Sequence, residues 1–269
     1  MERPADSGDA YSPPQMARLV NSLGIRKAQL PALQLWMLGL LAGAFIAFGA
    51  MFFTLVMTGN QSGFGVARLL GGLAFSLGLI LVIIGGAELF TGNNLIVMAW
   101  AESNVSTGQL LRNWGIVYAA NLVGALGCVV LVWYSGTLDL GGGAVAGTAA
   151  AIANAKVELG FVEAFVRGIL CNTLVCLAVW LCVSAHHVSG KILSIIFPIS
   201  AFVALGFEHS VANMYLIPIG MLAGGGSIDV ADFAGNLVPV TLGNIVGGSG
   251  FVALTYWIIY LRGNGEAVP

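Results

Sequence analysis

Six long apolar segments dominate this sequence and constrain its fold more than any other feature. They run at about 34–58, 66–100, 110–134, 159–185, 191–223 and 234–261. About 20 apolar residues are needed for a helix to cross the hydrocarbon core of a bilayer, and each segment reaches that length. Only 8% of the 269 residues are charged, against about 25% in an average soluble domain. The sequence therefore predicts an all-α polytopic membrane protein and excludes a water-soluble globule.

The basic residues between the segments predict the orientation, because six spans place both termini on the same side. Seven basic residues share that side, and these are Arg3, Arg18, Arg26, Lys27, Arg112, Lys191 and Arg262. Three lie on the other side, and these are Arg68, Lys156 and Arg167. Cytoplasmic loops carry the excess of positive charge, so both termini are expected in the cytoplasm. The net charge of −2 offers no basic surface to a nucleic acid, and no such partner is expected.

The two ends of the chain differ from its apolar centre. Residues 1–33 are predicted to form a cytoplasmic tail and an amphipathic helix, Gln15–Leu23, which Gly24 ends. Such a helix either anchors the chain at the lipid surface or covers the mouth of the domain that follows. Residues 34–262 are predicted to form a single transmembrane domain, and residues 263–269 a second cytoplasmic tail.

Two of the apolar segments are too long for one crossing. A continuous helix over 66–100 would measure about 50 Å, against a hydrocarbon thickness of about 30 Å. Its middle, residues 85–94, reads GGAELFTGNN, and the middle of the fifth segment reads GFEHSVAN at 206–213. Glycines, carboxylates and asparagines fit an interrupted backbone better than a helix that faces lipid. We therefore predict that spans 2 and 5 are broken.

The two interruptions are internal copies of each other. Three pairs align at an offset of 120, and they are Gly86 with Gly206, Glu88 with Glu208 and Asn93 with Asn213. The next spans share the pattern NLVG at 121–124 and NIVG at 244–247, at an offset of 123. A unit of three spans must insert the second time with the opposite topology. The sequence thus predicts a 3+3 inverted repeat, 34–135 and 159–262, which is typical of transporters and channels with discontinuous helices.

Four motifs resemble the formate/nitrite transporter family, and within it the formate channels. They are GAELFTGN at 86–93, GILCN at 168–172, GFEHSVANM at 206–214 and PVTLGNIVGG at 239–248. The resemblance extends from about residue 14 to residue 262. It implies an aquaporin-like protomer in the inner membrane, assembled as a homopentamer, with one substrate path in each protomer and no cofactor.

The resemblance also implies roles for individual residues. His209 would be the central pore histidine and Thr91 its hydrogen-bond partner, with Asn213 nearby and Asn172 on the same pathway. Phe75 and Phe202 would form the constriction toward the outside. The remaining implied roles are a cytoplasmic constriction at Leu79, Phe90 and Val175, and attraction of anions by Lys156.

The chemistry of His209 supports this assignment independently, because an ionisable side chain within a membrane span is costly and marks a functional site. Moving a bare anion through an apolar region costs far more than moving its protonated acid, and histidine titrates near physiological pH. We therefore predict a pH-dependent channel for formate and similar small monovalent weak-acid anions. A nitrite or hydrosulfide pathway is the alternative, since the same histidine would serve it.

Four other charged residues have two interpretations each. Glu88 and Glu208 are expected to accept hydrogen bonds from backbone N–H groups that the broken helices leave unpaired, while a proton relay from Glu208 to His209 is the alternative. Lys156 either attracts anions at an entrance or is a solvated loop cation. Arg167 follows Glu163 by four residues, and this spacing favours a helix ion pair over a role in the pathway.

Two other functional classes fit less well. A neutral-solute pore is compatible with an aquaporin-like architecture, but the sequence lacks paired Asn-Pro-Ala motifs. An enzyme would need a convergent nucleophile, base or metal site, and none is evident, so neither catalysis nor a bound metal is expected. The expected partners are the small anion, membrane lipid and further copies of the chain.

Overall fold

A computed structural model describes residues 10–224 and 226–263, and these residues are almost entirely helical. The first half contains α1 (Pro13–Ala28), α2 (Ala32–Met57), α3 (Phe64–Gly85), a 3-10 turn (Gly92–Ile96), α4 (Val97–Ala101) and α5 (Thr107–Tyr134). The second half contains a 3-10 turn (Thr137–Asp139), α6 (Ala144–Val157), α7 (Phe161–Ser184), α8 (Val188–Ala204), α9 (Ser210–Ala223), α10 (Val230–Ile245), a π-helix (Val246–Leu254) and α11 (Thr255–Tyr260).

Five helical stretches are long and apolar enough to cross a membrane among the described residues. They are α2, α3, α5, α7 and the continuous stretch Val230–Tyr260. Many of their large apolar side chains are exposed on the surface of the single chain, as expected for surfaces that face lipid or other copies of the chain. The prediction of an all-helical membrane protein is confirmed.

The second and fifth predicted segments each contain more than one helix. α3 ends at Gly85, Gly86 takes the left-handed conformation with φ +78, and helical structure resumes at Gly92. α8 ends at Ala204, Gly206 has φ +75, and α9 begins at Ser210. A glycine with positive φ just after a helix is a common C-terminal signal, because it lacks the Cβ that would clash in this conformation.

α1 is longer than predicted. The sequence indicated a stop at Gly24, but the helix continues to Ala28. Gly24 is buried, and a Cβ added there would lie 3.1 Å from Cβ of Ala99. The glycine therefore serves the packing of α1 against α4 rather than the end of the helix. α1 also lines a cavity, which is described below.

α6 was not predicted, because the glycines at 136–147 indicated only a connection between the repeats. Residues 148–157, TAAAIANAKV, continue the helix after these glycines, and alanine is the best helix former. α6 packs along α9, where a Cβ at Gly220 would lie 2.2 Å from Cβ of Ala153. Lys156 accordingly lies on a packed helix and not on a loop.

Glycines bring the long helices into close contact. A Cβ at Gly43 of α2 would lie 2.1 Å from the carbonyl oxygen of Asn121, and one at Gly243 of α10 would lie 2.1 Å from that of Phe165. No larger residue fits at either position without moving a helix. Such packing through small residues replaces the hydrophobic drive that helices lack inside a membrane.

The predicted tails lie largely outside the described residues, since residues 1–9 and 264–269 are not among them. The predicted division into residues 1–33, 34–262 and 263–269 therefore stays a prediction.

Candidate functional site

The two segments that interrupt the helices meet in the interior. Oγ1 of Thr91 and Nε2 of His209 are 3.0 Å apart, and both side chains are buried. Nδ1 of His209 accepts a hydrogen bond from the backbone N–H of Ala212, at 3.1 Å. A nitrogen that accepts carries no proton, so the neutral ring carries its proton on Nε2 and donates it to Thr91. The hydroxyl proton of Thr91 then remains available, because among the described residues only His209 bonds this hydroxyl.

Asn121 of α5 holds the first interrupted segment in place. Its Oδ1 accepts from the backbone N–H of Phe90 at 2.9 Å. Its Nδ2 donates to the carbonyl oxygens of Gly39 and Glu88, at 2.8 and 3.0 Å. One buried amide thus satisfies backbone groups that the interruption leaves without helical partners.

Asn244 of α10 does the same for the second segment. It accepts from the backbone N–H of Ser210 at 2.9 Å and donates to the carbonyl oxygens of Gly168 and Glu208, at 2.8 and 3.0 Å. Each contact has its counterpart around Asn121. The two interruptions are therefore stabilised by the same arrangement of hydrogen bonds.

Glu208 lies in a network of charged and amide groups. Nζ of Lys156 donates to both of its carboxylate oxygens, at 2.9 and 3.0 Å. Nδ2 of Asn213 donates to Oε2 at 2.6 Å and to Oδ1 of Asn236 at 2.7 Å. Nδ2 of Asn236 donates to the carbonyl oxygen of Lys156 at 2.8 Å, which closes the network. Lys156 is thus an ion-pair partner of Glu208 and not a freely solvated cation.

Glu88 lies in an equivalent network. Nζ of Lys27 lies 2.6 Å from Oε1 of Glu88 and 3.1 Å from Oδ1 of Asn93. Nδ2 of Asn93 donates to Oε2 of Glu88 and to Oδ1 of Asn113, and Nδ2 of Asn113 donates to the carbonyl oxygen of Lys27. The carboxylates at both interruptions are therefore held by a lysine and an asparagine rather than by backbone N–H groups.

Sequence analysis missed Lys27, Asn113 and Asn236 as parts of these networks, although the internal offsets contain the signal. Lys27 and Lys156 differ by 129 positions, as do Gly39 and Gly168. Asn113 and Asn236 differ by 123, as do the two asparagines that hold the interruptions. Aligning the two halves beyond their apolar cores would have identified all three residues.

Phe75 and Phe202 form an aromatic layer beside the histidine. Their ring centroids are 5.6 Å apart in an edge-to-face arrangement, and the ring of Phe202 stacks on His209 at 5.9 Å. Both phenylalanines are buried. The structure therefore brings together His209, Thr91, Phe75 and Phe202, which the sequence singled out for one site.

A cavity of about 180 Å³ reaches this layer from one side. We call it the Lys156 cavity. Its lining includes four charged residues, two phenylalanines and the histidine, namely Arg68, Lys156, Arg167, Glu208, Phe75, Phe202 and His209. Arg167 also makes the expected ion pair with Glu163. Three cations and one carboxylate in this lining give the cavity a positive character, which attracts anions.

A second cavity, of about 600 Å³, lies near Leu79. We call it the Lys27 cavity, since Lys27 and Glu88 line it together with Leu19, Leu23 and Arg26 of α1. α1 therefore forms part of its wall. Leu79 lies in the layer between the two cavities, because it neighbours Phe75 one turn along α3 and lines the Lys27 cavity.

Phe90, Val175 and Asn172 occupy the packed interior and are not among the residues that line either cavity. Phe90 packs edge-to-face on Tyr118, with centroids 4.8 Å apart, and Val175 is buried in the same core. Nδ2 of Asn172 lies 3.2 Å from the carbonyl oxygen of Thr91, 2.8 Å from Oδ1 of Asn94 and 2.7 Å from the carbonyl oxygen of Asn244. Asn172 thus links the backbone of Thr91 to that of Asn244 in α10.

A metal site is not evident among the described residues, since no three His, Cys, Asp or Glu side chains come together there. His186 and His187 lie on the α7–α8 connection, where the ring of His186 contacts Tyr11 at 4.3 Å. Neither histidine is near His209 in the chain or in the network described above.

Comparison with known proteins gives a consistent result. The sequence profile of a family described as formate/nitrite transporter matches residues 14–258. The chain is 42% identical to "Formate channel FocA" of Escherichia coli strain K12, over 95% of this chain and 96% of the relative. It is 41% identical to "Probable formate transporter" of Methanothermobacter thermautotrophicus, over 93% of this chain and 97% of the relative.

Two solved structures are also similar. One, titled "Pentameric formate channel with formate bound", has a TM-score of 0.80 and 41% identity, and the alignment covers 86% of this chain and 98% of that one. The other, titled "FNT family ion channel", has a TM-score of 0.82 and 30% identity, over 91% of this chain and 98% of that one.

Proposed function

The chain belongs to the formate/nitrite transporter family, and from this premise we propose that it is a pH-dependent membrane channel for formate and similar small monovalent weak-acid anions. The observation that carries the proposal is the buried Thr91–His209 pair between two cavities that each contain a lysine. The names of the relatives, formate channels and a formate transporter, support formate as the substrate. These relatives are transport proteins and not enzymes.

We propose an architecture of six spans in a 3+3 inverted repeat, with spans 2 and 5 interrupted, in an aquaporin-like protomer. The matched contacts of Asn121 and Asn244 and of the two Lys–Glu networks support it. They also favour including α1 and α6 in the repeats, since each supplies one of the lysines. The pentameric relative with formate bound supports a homopentamer. In the inner membrane, the positive-inside rule places both termini in the cytoplasm and opens the Lys156 cavity to the outside.

In the proposed pathway, the basic lining of the Lys156 cavity raises the local concentration of the anion. The anion then meets the layer of Phe75 and Phe202, where apolar rings remove its water. A bare charge is costly there, so a donor at this point determines whether it passes. Nε2–H of His209 donates to Thr91, so the hydroxyl proton of Thr91 is the donor left for the anion, and Leu79 borders the way out to the Lys27 cavity.

The accepted hydrogen bond at Nδ1 indicates how His209 acts at rest. A doubly protonated ring would direct an N–H at the N–H of Ala212 and lose that contact. The resting geometry therefore suits a neutral ring whose Nε2–H donates to Thr91. Such a ring has no second proton to give, so transfer of a proton to the anion would start from a doubly protonated ring and return it to this neutral form. The position of Asn213 supports the site indirectly, through its contact with Glu208.

The carboxylates are proposed to support the fold of the interruptions and not to relay protons. Both oxygens of Glu208 bond Lys156, and one also bonds Asn213. No hydrogen bond joins this carboxylate to the ring of His209 among the described residues. Replacing Glu208 by Gln is therefore expected to keep the pH dependence of flux.

The test is flux into proteoliposomes across an imposed pH gradient, with formate, nitrite, hydrosulfide and glycerol offered separately. Wild type is compared with His209→Asn and with the control His187→Asn, which changes an exposed histidine on the α7–α8 connection. Formate flux that exceeds glycerol flux, and that loses its pH dependence in His209→Asn alone, would support the proposal. Equal pH dependence in all three proteins would refute the role of His209, and glycerol as the preferred solute would refute the channel's proposed substrate class.

A further inference from the structure

Two arginines on different helices line the Lys156 cavity, and both come close to Gly206. Arg68 comes from α3, and its Nε and Nη2 lie 2.5 and 2.9 Å from the carbonyl oxygens of Ala204 and Val203. Arg167 comes from α7, where Nη1 donates to the carbonyl oxygen of Gly206 at 3.1 Å and Nη2 bonds Glu163. Arg68 is therefore held along its Nε–Nη2 edge, and Arg167 is held at both terminal nitrogens by two different partners.

Gly206 lies between the two guanidinium groups. A Cβ added to it would lie 2.9 Å from Nη2 of Arg68 and 3.6 Å from Nη1 of Arg167. An atom of a ligand at this position would contact both guanidinium groups, and Gly206 leaves the position unfilled because it has no side chain. Because Gly206 has φ +75, a conformation that side-chain-bearing residues rarely adopt, the backbone itself favours keeping the position open.

The charges at this point are not balanced. Among the described residues Arg68 has no carboxylate within ion-pair distance, and the side chain of Glu163, the partner of Arg167, is half exposed. The C-terminal carbonyls of α8 compensate part of the charge of Arg68. They use two of its five N–H groups, so the other three remain for a ligand.

We propose that Arg68 and Arg167 form an anion-binding site for small planar anions with two oxygens, the class of formate and nitrite. A guanidinium has a rigid fork of donors that matches two oxygens held in one plane. Hydrosulfide and chloride present one atom and cannot place a separate acceptor atom opposite each N–H of the fork. This site rests on the proposed function as its first binding step, where the anion is selected before it reaches His209.

The experiment measures binding and flux separately on the full chain. Binding of ¹³C-formate to the purified protein is followed by saturation-transfer NMR, and influx into proteoliposomes is measured against formate concentration. The variants are Arg167→Leu, which removes the charge, and Arg167→Lys, which keeps the charge and removes the fork. Glu163→Gln removes the ion pair but keeps the guanidinium, and Arg112→Leu removes an exposed arginine that bonds the carbonyl of Leu30 elsewhere.

Arg167→Leu is expected to raise the half-saturating formate concentration about three- to tenfold, as for loss of one charge-assisted contact in a partly hydrated site. Arg167→Lys should recover less than half of this loss, and Arg112→Leu should match wild type. Glu163→Gln should not raise the half-saturating concentration, because it keeps the guanidinium and removes only a neighbouring negative charge. Hydrosulfide influx should fall with the lost charge in Arg167→Leu and be fully restored in Arg167→Lys, because an anion with one acceptor atom responds to the charge and not to the fork. A half-saturating concentration unchanged in Arg167→Leu, or fully restored by Lys, would overturn the site.

The two proposals fail in different ways. If wild type binds formate through Arg167 but does not transport it, the channel function is wrong and the site stands. If wild type transports formate and Arg167→Leu binds it equally well, the function stands and the site is wrong. If the purified wild type shows no saturable binding of formate, the site is also wrong.

Discussion

The ion pair of Lys156 with Glu208 makes the sharpest prediction about stability, because both groups are largely removed from water. The side chain of Lys156 is 15% exposed and that of Glu208 is 5% exposed. Replacing Lys156 by Met removes the cation and leaves a buried carboxylate with Asn213 as its main donor. Breaking a buried pair on one side costs about 3–5 kcal/mol, and the remaining exposure of the lysine places the expected loss near the lower end, at about 3 kcal/mol.

A second substitution separates the lost interaction from the stranded charge. In the double variant Lys156→Met with Glu208→Gln, the side chain at 208 is neutral and still offers an oxygen to Asn213. Replacing both members of a buried pair by neutral groups is often close to neutral in stability. We therefore expect the double variant to recover about 2 kcal/mol of the loss. The single variant Glu208→Gln completes the double-mutant cycle, and the coupling energy is the loss in the double variant minus the sum of the two single losses.

The two other ion pairs are more exposed and are expected to contribute less to the free energy of unfolding. Lys27 is 31% exposed in its pair with Glu88, so Lys27→Met should cost only about 1–2 kcal/mol. Glu163→Gln breaks the surface pair with Arg167, where both side chains exceed a third exposed, and should cost less than about 1 kcal/mol.

The assay is unfolding of the purified protein in mixed micelles with increasing SDS, followed by circular dichroism. Free energies are compared among the single, double and control variants at the same detergent composition. The reasoning is refuted if Lys156→Met costs no more than Glu163→Gln, or if adding Glu208→Gln lowers stability further instead of restoring it.

Two further predictions concern the interior. Asn244→Leu should lower the unfolding free energy by about 3 kcal/mol, because it leaves a buried backbone N–H and two carbonyl groups without their partner, and the same SDS titration measures it. The double variant Phe75→Ala with Phe202→Ala should admit acetate, which proteoliposome influx would show as a rise in the ratio of acetate to formate flux. An unchanged ratio would mean that these rings do not set the size limit.

Much of the fold was predictable because hydropathy reports directly on crossing a membrane. The family resemblance is confirmed. Four of the five long apolar helices begin and end close to the predicted segments, while α3 covers only the first part of the segment 66–100. α6 was not predicted, because its alanines are only weakly apolar and it follows a run of glycines. Gly24 was wrongly predicted to end α1, because a glycine that permits close contact with Ala99 looks the same in a sequence as one that ends a helix.

The site was predictable only in part, because its contacts join residues far apart in the chain. Nothing near Lys27 indicates a pairing with Glu88, 61 positions away, and a lysine that precedes the first span resembles any flanking charge. Asn172 was singled out, but its place as a support for the backbone of Thr91 depends on how α7 packs. The roles of the individual pathway residues stay predictions.

The comparison of the two halves also suggests where the function resides. At the offset of 120 that relates Glu88 to Glu208, position 89 is Leu where position 209 is His, and position 211 is Val where position 91 is Thr. The networks that hold the interruptions occur twice, as the proposed repeat requires. The hydrogen-bonded pair at the centre occurs once, with one member from each half and an apolar residue at each equivalent position. A symmetric scaffold would not need this difference for stability, so the departure from symmetry supports the roles proposed for Thr91 and His209.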